Sequence, residues 1–138
     1  RSIMAEPDEF LDIFSEFNIA VVADDLAQES RQFRTDVPSG IDPLEQLAQQ
    51  WQDFDGCPLA LNEDKPRGQM LIDMTKKYNA DAVVICMMRF CDPEEFDYPI
   101  YKPEFEAAGV RYTVLDLDIE SPSLEQLRTR IQAFSEIL

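Results

Sequence analysis

The chain contains no histidine. Imidazole acid–base catalysis, a Ser-His-Asp triad and imidazole metal ligation are therefore impossible within it. Its four glycines, Gly40, Gly56, Gly68 and Gly109, stand apart, so neither the G-x-G-x-x-G turn of dinucleotide sites nor a P-loop is present. Basic residues are scarce: 12 Lys and Arg against 28 Asp and Glu leave a formal net charge of −16. Such a chain has little with which to neutralise phosphates or to hold an anionic bilayer surface. The expectation is no nucleic-acid and no membrane partner; the acidity serves solubility or meets a basic partner. No apolar run approaches the length of a membrane span, and no signal-peptide pattern opens the chain. The three cysteines form no C-x-x-C or disulfide spacing, which points to a reducing, cytoplasmic setting.

What is present is ordinary globular material: 138 residues, 45% apolar and 29% charged, enough for one α/β domain spanning 1–138 with a real core. The chain opens "RSIMAEPDEF", without an initiator methionine. Ser2-Ile3-Met4 is at best the end of a strand. The expectation is therefore a piece of a longer polypeptide, a fragment that could lack its first strand.

The hydrophobic pattern gives the order α-β-α-α-β-α-β-α. Glu6-Pro7-Asp8 starts a helix whose apolar face is Phe10, Ile13, Phe14 and Phe17. "IAVVADD", residues 19–25, reads as a short buried strand ending in acids. "AQESRQFRTDVPSGI" is a loop with a turn of helix. Asp42-Pro43 caps a helix through "LEQLAQQW". "RGQMLIDMTKKYN" is amphipathic, with Met70, Leu71, Met74 and Tyr78 expected inward. "ADAVVICMM" is the strongest strand. "FDYPIYKPEFEAAG" is mostly helical, expected to break at its two prolines and to stop at Gly109. "VRYTVLDLD" is the last strand, and Ser123 is expected to cap a final helix, "LEQLRTRIQAFSEIL". Alternating strands and helices imply a three-layer fold, a mainly parallel sheet flanked by helices on both faces, Rossmann- or flavodoxin-like.

Ligands of such sheets collect at the carboxyl ends of the strands. Three places qualify: Asp24-Asp25, the stretch from Arg89 to Glu95, and Asp116 to Glu120. Asp24-Asp25 either binds a metal or orients a base, or caps the following helix. Asp116, Asp118 and Glu120 suit a strand leaving the core. Arg31 and Arg34, in "SRQFR", either hold a carboxylate or phosphate or form surface ion pairs. Cys86, inside "VVICMM", reads as a small core residue, and Cys57, in a Gly-Cys-Pro connection, as structural. Cys91 differs. It follows the strongest strand, between an aromatic residue and an Asp-Pro turn, where a thiolate is a nucleophile, a metal ligand or an ordinary loop thiol.

The stretch "FCDPEEFDYP", then "K-x-x-F-E-A-A-G-V", a strand and "EQLRTRIQAFSEIL", resembles the C-terminal part of 2-hydroxyacyl-CoA dehydratase subunits, relatives of the ATP-dependent benzoyl-CoA reductases. "VVADDLAQESRQFR" and "DPLEQLAQQW" resemble the family's preceding unit, so the resemblance covers nearly the whole chain. It implies that Cys91 is one of three cysteine ligands of a [4Fe-4S] cluster, with the others outside this segment, so that the isolated piece would be inactive and without its cluster. Neither Cys57 nor Cys86 falls on a ligand motif of the family. The resemblance further implies a second dehydratase subunit, an ATP-dependent iron–sulfur activator protein and an acyl-CoA substrate. The implied reaction is one-electron reduction of the thioester to a ketyl radical, loss of the C2 hydroxyl and of a C3 proton, and return of the electron, giving an enoyl-CoA. The catalytic residues are not identified. Asp92-Pro93 is expected to fix the loop after Cys91 and aim amides at its sulfur, and Arg128 and Arg130 either face this region or lie on the surface. The alternatives are a benzoyl-CoA reductase-type subunit, a non-catalytic α/β scaffold or regulatory domain, and a flavodoxin-like flavin binder, which the acidic, glycine-poor loops disfavour.

Overall fold

Phe10, Ile13 and Phe14 recur at helical spacing, and the helix they define, α1 (Pro7–Glu16), buries all three. The computed structural model describes residues 7–40, 42–59, 62–118 and 123–138. The expectations at Ser2-Ile3-Met4, at Glu6 and at Glu120 lie outside the described residues. After α1 come α2 (Ser30–Phe33), α3 (Pro43–Gln52), α4 (Arg67–Lys77), β1 (Val83–Met88), α5 (Asp92–Ala108), β2 (Tyr112–Leu117) and α6 (Leu124–Ser135).

The strands β1 and β2 pair in parallel, from Val83 opposite Tyr112 to Met88 opposite Leu117. A parallel pair joined by a helix must cross over, and α5 is that crossover. Alternation along the strands then feeds two cores. Leu115 and Leu117, with Val84, Cys86 and Met88, pack against Phe10, Ile13 and Phe14 of α1 and Leu127 and Ile131 of α6. On the other face Val83, Ile85 and Tyr112 meet Ile72 of α4 and Tyr101 and Phe105 of α5. The result is helices on both faces of a small parallel sheet. Where α4 meets α5, only Gly68 fits, because a Cβ there would stand 2.7 Å from the Tyr101 Cβ.

Several local expectations change. Residues 19–25 form no strand. Ile19 touches the α1–α6 core, but Val21 and Val22 are 56% and 51% exposed. An apolar run marks what can be buried; a strand also needs a neighbouring backbone, and here β1 takes β2. Tyr78, expected inward, is exposed at the end of α4, and Ile72 is buried in its place. The helix α5 starts at Asp92, so the expected Asp-Pro turn is its first turn, and it runs unbroken through Pro99 and Pro103. The two prolines are four residues apart and both exposed, so they lie on one solvent-facing stripe. They leave the carbonyls of Glu95 and Pro99 without a helical donor, on residues that are themselves exposed to water. Gly109, left-handed at φ 69°, ends the helix as expected. Asp42 caps α3 through the Leu44 amide, whereas Ser123 occupies the N-cap of α6 without a side-chain bond. Among the described residues no helix is long and apolar enough to cross a membrane.

Candidate functional site

The carboxyl ends of both strands form one mouth. The Arg89 amide donates to the Leu117 carbonyl at 3.0 Å, which extends the ladder by one residue. The Arg89 guanidinium then reaches Asp118 at 3.7 Å. The stretches after β1 and after β2, separate in sequence, are thus neighbours. Phe90 follows with φ 64°, a left-handed conformation that is rare for a bulky residue. Its ring is 94% exposed, and its amide donates to Glu95 Oε1 at 3.2 Å.

Cys91 comes next, as the N-cap residue of α5. Its amide donates to the Met88 carbonyl at 3.1 Å, and its carbonyl accepts the first helical bond, from the Glu95 amide at 3.0 Å. The amides of Asp92 and Glu94 therefore have no helical acceptor, and Pro93 has no N–H. The Cys91 side chain makes no capping bond, and the residue is half-buried. A soft sulfur donor at a helix N-terminus, free of intramolecular duty, suits iron ligation. It is one donor only: among the described residues no group of three His, Cys, Asp or Glu could hold a metal ion. Among the described residues Cys91 offers one such donor and no second one beside it.

The other cysteines differ. Cys86 packs within the α1–α6 core, and burial pushes its thiol up to about 12, which matches the expected core role. Cys57 is half-buried between the buried Gly56 and Pro58 and lies near enough to Arg31 to act on its charge.

The remaining acids and arginines assemble next to the Cys91 helix. Asp24 Oδ1 accepts from the amides of Leu26 and Ser30, the latter at the start of α2; of the two roles expected for it, this is the capping one. Asp25 is the hub of a buried network. Its carboxylate meets Arg31 at 3.0 Å, Arg34 at 2.7 Å and Arg67 at 3.2 Å. Glu94, in the first turn of α5, meets Arg67 at 2.7 Å and Arg31 at 3.5 Å. The "SRQFR" arginines thus hold a carboxylate, and it is the chain's own. Desolvation pulls the Arg31 guanidinium down, but Asp25, with Glu94 and Cys57, holds it above its ordinary value. Arg67 also stands over the Tyr101 ring, 5.9 Å from its centroid, and burial pushes the Tyr101 hydroxyl up to about 12.

All three expected strand-end places are thereby joined: Asp25 reaches Glu94 through Arg31 and Arg67, and Arg89 reaches Asp118. The sequence reading missed Arg67. No spacing marks it, because its partners lie 42 and 27 residues away. Arg128 and Arg130 are engaged elsewhere: Arg128 with Glu16 and Glu125, Arg130 with Asp116 and the Val114 carbonyl. They tie α6 to α1 and to β2, the surface role of the two expected.

The family model for the 2-hydroxyglutaryl-CoA dehydratase D-component matches residues 2–138. The lactoyl-CoA dehydratase subunit beta of Anaerotignum propionicum is 53% identical over 137 residues, 99% of this chain and 37% of that protein. The (R)-phenyllactyl-CoA dehydratase beta subunit of Clostridium sporogenes is 43% identical over 136 residues, 99% of this chain and 36% of that protein. The (R)-2-hydroxyglutaryl-CoA dehydratase subunit beta of Acidaminococcus fermentans is 32% identical over 124 residues, 87% of this chain and 33% of that protein. The chain spans about a third of the length of the curated relatives it matches.

Proposed function

The chain belongs to the 2-hydroxyglutaryl-CoA dehydratase D-component family, and from that premise we propose that it is the C-terminal α/β domain of the beta-type subunit of an (R)-2-hydroxyacyl-CoA dehydratase. The intact enzyme is a hydro-lyase that removes water from a 2-hydroxyacyl-CoA thioester. It works with a second subunit and an ATP-dependent iron–sulfur activator in an anaerobic cytoplasm. The relatives named as beta subunits of such enzymes support the assignment. The observation that carries it is Cys91: a half-buried, uncapped sulfur at the carboxyl end of β1, inside the family match.

In this reading Cys91 supplies one thiolate to a [4Fe-4S] cluster, and the remaining ligands come from sequence beyond this chain. When bound, the cluster supplies one-electron chemistry to a substrate thioester. The chain's own residues do the rest. The paired strands and the Arg89–Asp118 contact fix the mouth. The helix α5 presents Cys91 at its N-terminus, where the helix dipole favours negative charge. A rigid sheet and a helix on either side keep a donor in place better than a loop would.

The test uses the full-length subunit with its partner and activator under strict anaerobiosis. With ATP and a reductant, the enzyme is expected to convert lactoyl-CoA, phenyllactyl-CoA or 2-hydroxyglutaryl-CoA to the matching enoyl-CoA. Failure with all three, together with ring reduction of benzoyl-CoA, would move the chain to the reductase branch. Failure with all substrates despite a loaded cluster would leave the scaffold reading.

A further inference from the structure

We propose that Arg67 and Glu94 are positioning residues for Cys91, setting where its sulfur stands at the mouth of the sheet; the inference rests on the reading of Cys91 as a cluster ligand. Cys91 has a fixed strand on one side and the first turn of α5 on the other. Glu94, three residues on, is part of that turn. Its carboxylate is gripped by Arg67 at 2.7 Å and by Arg31 at 3.5 Å. Arg67 is the first residue of α4, and Gly68 beside it brings α4 into close contact with α5. The same guanidinium reaches Asp25 at 3.2 Å and stands over Tyr101. One arginine therefore ties α4, the segment before α2 and the turn bearing Cys91 to a common point.

Burial gives this tie its stiffness. Arg31 and Arg67 are 4% and 8% exposed, so water and salt screen their contacts little. Arg67 keeps its direction although its buried Nε has no partner among the described residues. The two carboxylates, rather than Nε, aim the group. On the other side of Cys91, Phe90 holds a left-handed backbone, which persists only where its surroundings determine it. A rotation of the α5 first turn would move the Cys91 sulfur and the Asp92 and Glu94 amides together. The Arg128–Glu16 pair is a natural control: it joins α6 to α1 through a half-buried arginine and makes no contact with the Cys91 turn.

The experiment prepares Arg67→Met, Arg67→Lys, Glu94→Gln and Arg128→Met in the intact enzyme. It compares three readouts at equal iron content: amide hydrogen exchange across residues 89–95, the electron paramagnetic resonance spectrum of the reduced cluster, and its midpoint potential. Arg67→Met and Glu94→Gln are expected to raise exchange there by about tenfold and to change both spectrum and potential. Arg67→Lys should recover part of the wild-type spectrum, and Arg128→Met should match wild type throughout. Wild-type spectra and potentials in iron-replete Arg67→Met and Glu94→Gln would overturn the proposal, even if exchange rose, because the network would then be structural only. If Arg67→Met fails to fold, Glu94→Gln decides by the same criteria. Retention of a full cluster in Cys91→Ser would instead defeat the ligand reading on which the proposal rests.

Discussion

Cys86 and Cys91 lie five residues apart on one run of chain, are both half-buried, and differ in what surrounds them. Cys86 is inside β1, packed with Phe10, Ile13 and Leu115 in the α1–α6 core, and burial alone pushes its thiol up to about 12. Cys91 is past the strand end, half-buried, with a bare side chain at the start of α5. The chemistry of a thiol is set by where the strand stops. Within the sheet it is a small hydrophobe; at the mouth it is free for the donor role proposed for Cys91. The neighbours differ too: apolar packing around the first, and for the second a helix turn whose Glu94 is held by the buried Arg67 and Arg31.

The largest stability effect is expected where that network is broken. Arg67→Met leaves Asp25 and Glu94 short of a partner in a buried site, a loss of about 3–5 kcal/mol, read by denaturant unfolding of the full-length subunit. A change below about 1 kcal/mol would show that the arginines on Asp25 are redundant. Next comes Cys86→Ser, which puts a hydroxyl among apolar neighbours. It is expected to destabilise by about 1–3 kcal/mol while leaving cluster content intact, whereas Cys91→Ser should do the reverse. Equal stability losses from the two would erase the contrast between strand interior and strand mouth.

Thiol labelling sharpens the same comparison. Because burial raises the Cys86 value, its neutral thiol is favoured in the folded state. That contribution to stability is present below the ordinary thiol range near 8.5 and is lost as pH rises towards about 12. At about pH 8, in the iron-depleted full-length subunit, iodoacetamide should label Cys91 at least about tenfold faster than Cys86, measured by peptide mass spectrometry. Comparable rates would mean that β1 opens readily. The smallest effect lies on the outer face. The Arg128 side-chain hydrogen bond holds the Glu16 carboxyl below its ordinary value. The pair therefore contributes above the usual carboxylate range and is lost as pH falls below it. Arg128→Met should flatten the acid limb of the melting-temperature profile slightly and leave neutral pH almost unchanged.

How much of this was legible in the sequence depended on the distance over which each signal acts. Periodicity placed α1, α4, β1, β2 and α6, because Phe10-Ile13-Phe14 or "VVICMM" carries its own pattern. Gly109 and Asp42 were readable for the same reason, since a helix stop and a cap are local chemistry. Residues 19–25 misled, because an apolar run says nothing about which backbone will pair with it. Pro99 and Pro103 misled because a broken hydrogen bond matters only if its carbonyl is buried, and both face water. The place of Cys91 just after a strand was legible from the sequence, and the resemblance of "FCDPEEFDYP" is what suggests its ligand role. The network around it was not, because Asp25, Arg67 and Glu94 meet only after the sheet and its flanking helices have formed.

The central claim is that Cys91 is a cluster ligand. The most direct test is anaerobic iron and acid-labile sulfide in the full-length parent, wild type beside Cys91→Ser. The account predicts a four-iron cluster in the wild type and its loss in the variant, with the fold retained by circular dichroism. A full, spectroscopically unaltered cluster in Cys91→Ser, or no iron in the properly reconstituted wild type, would contradict it.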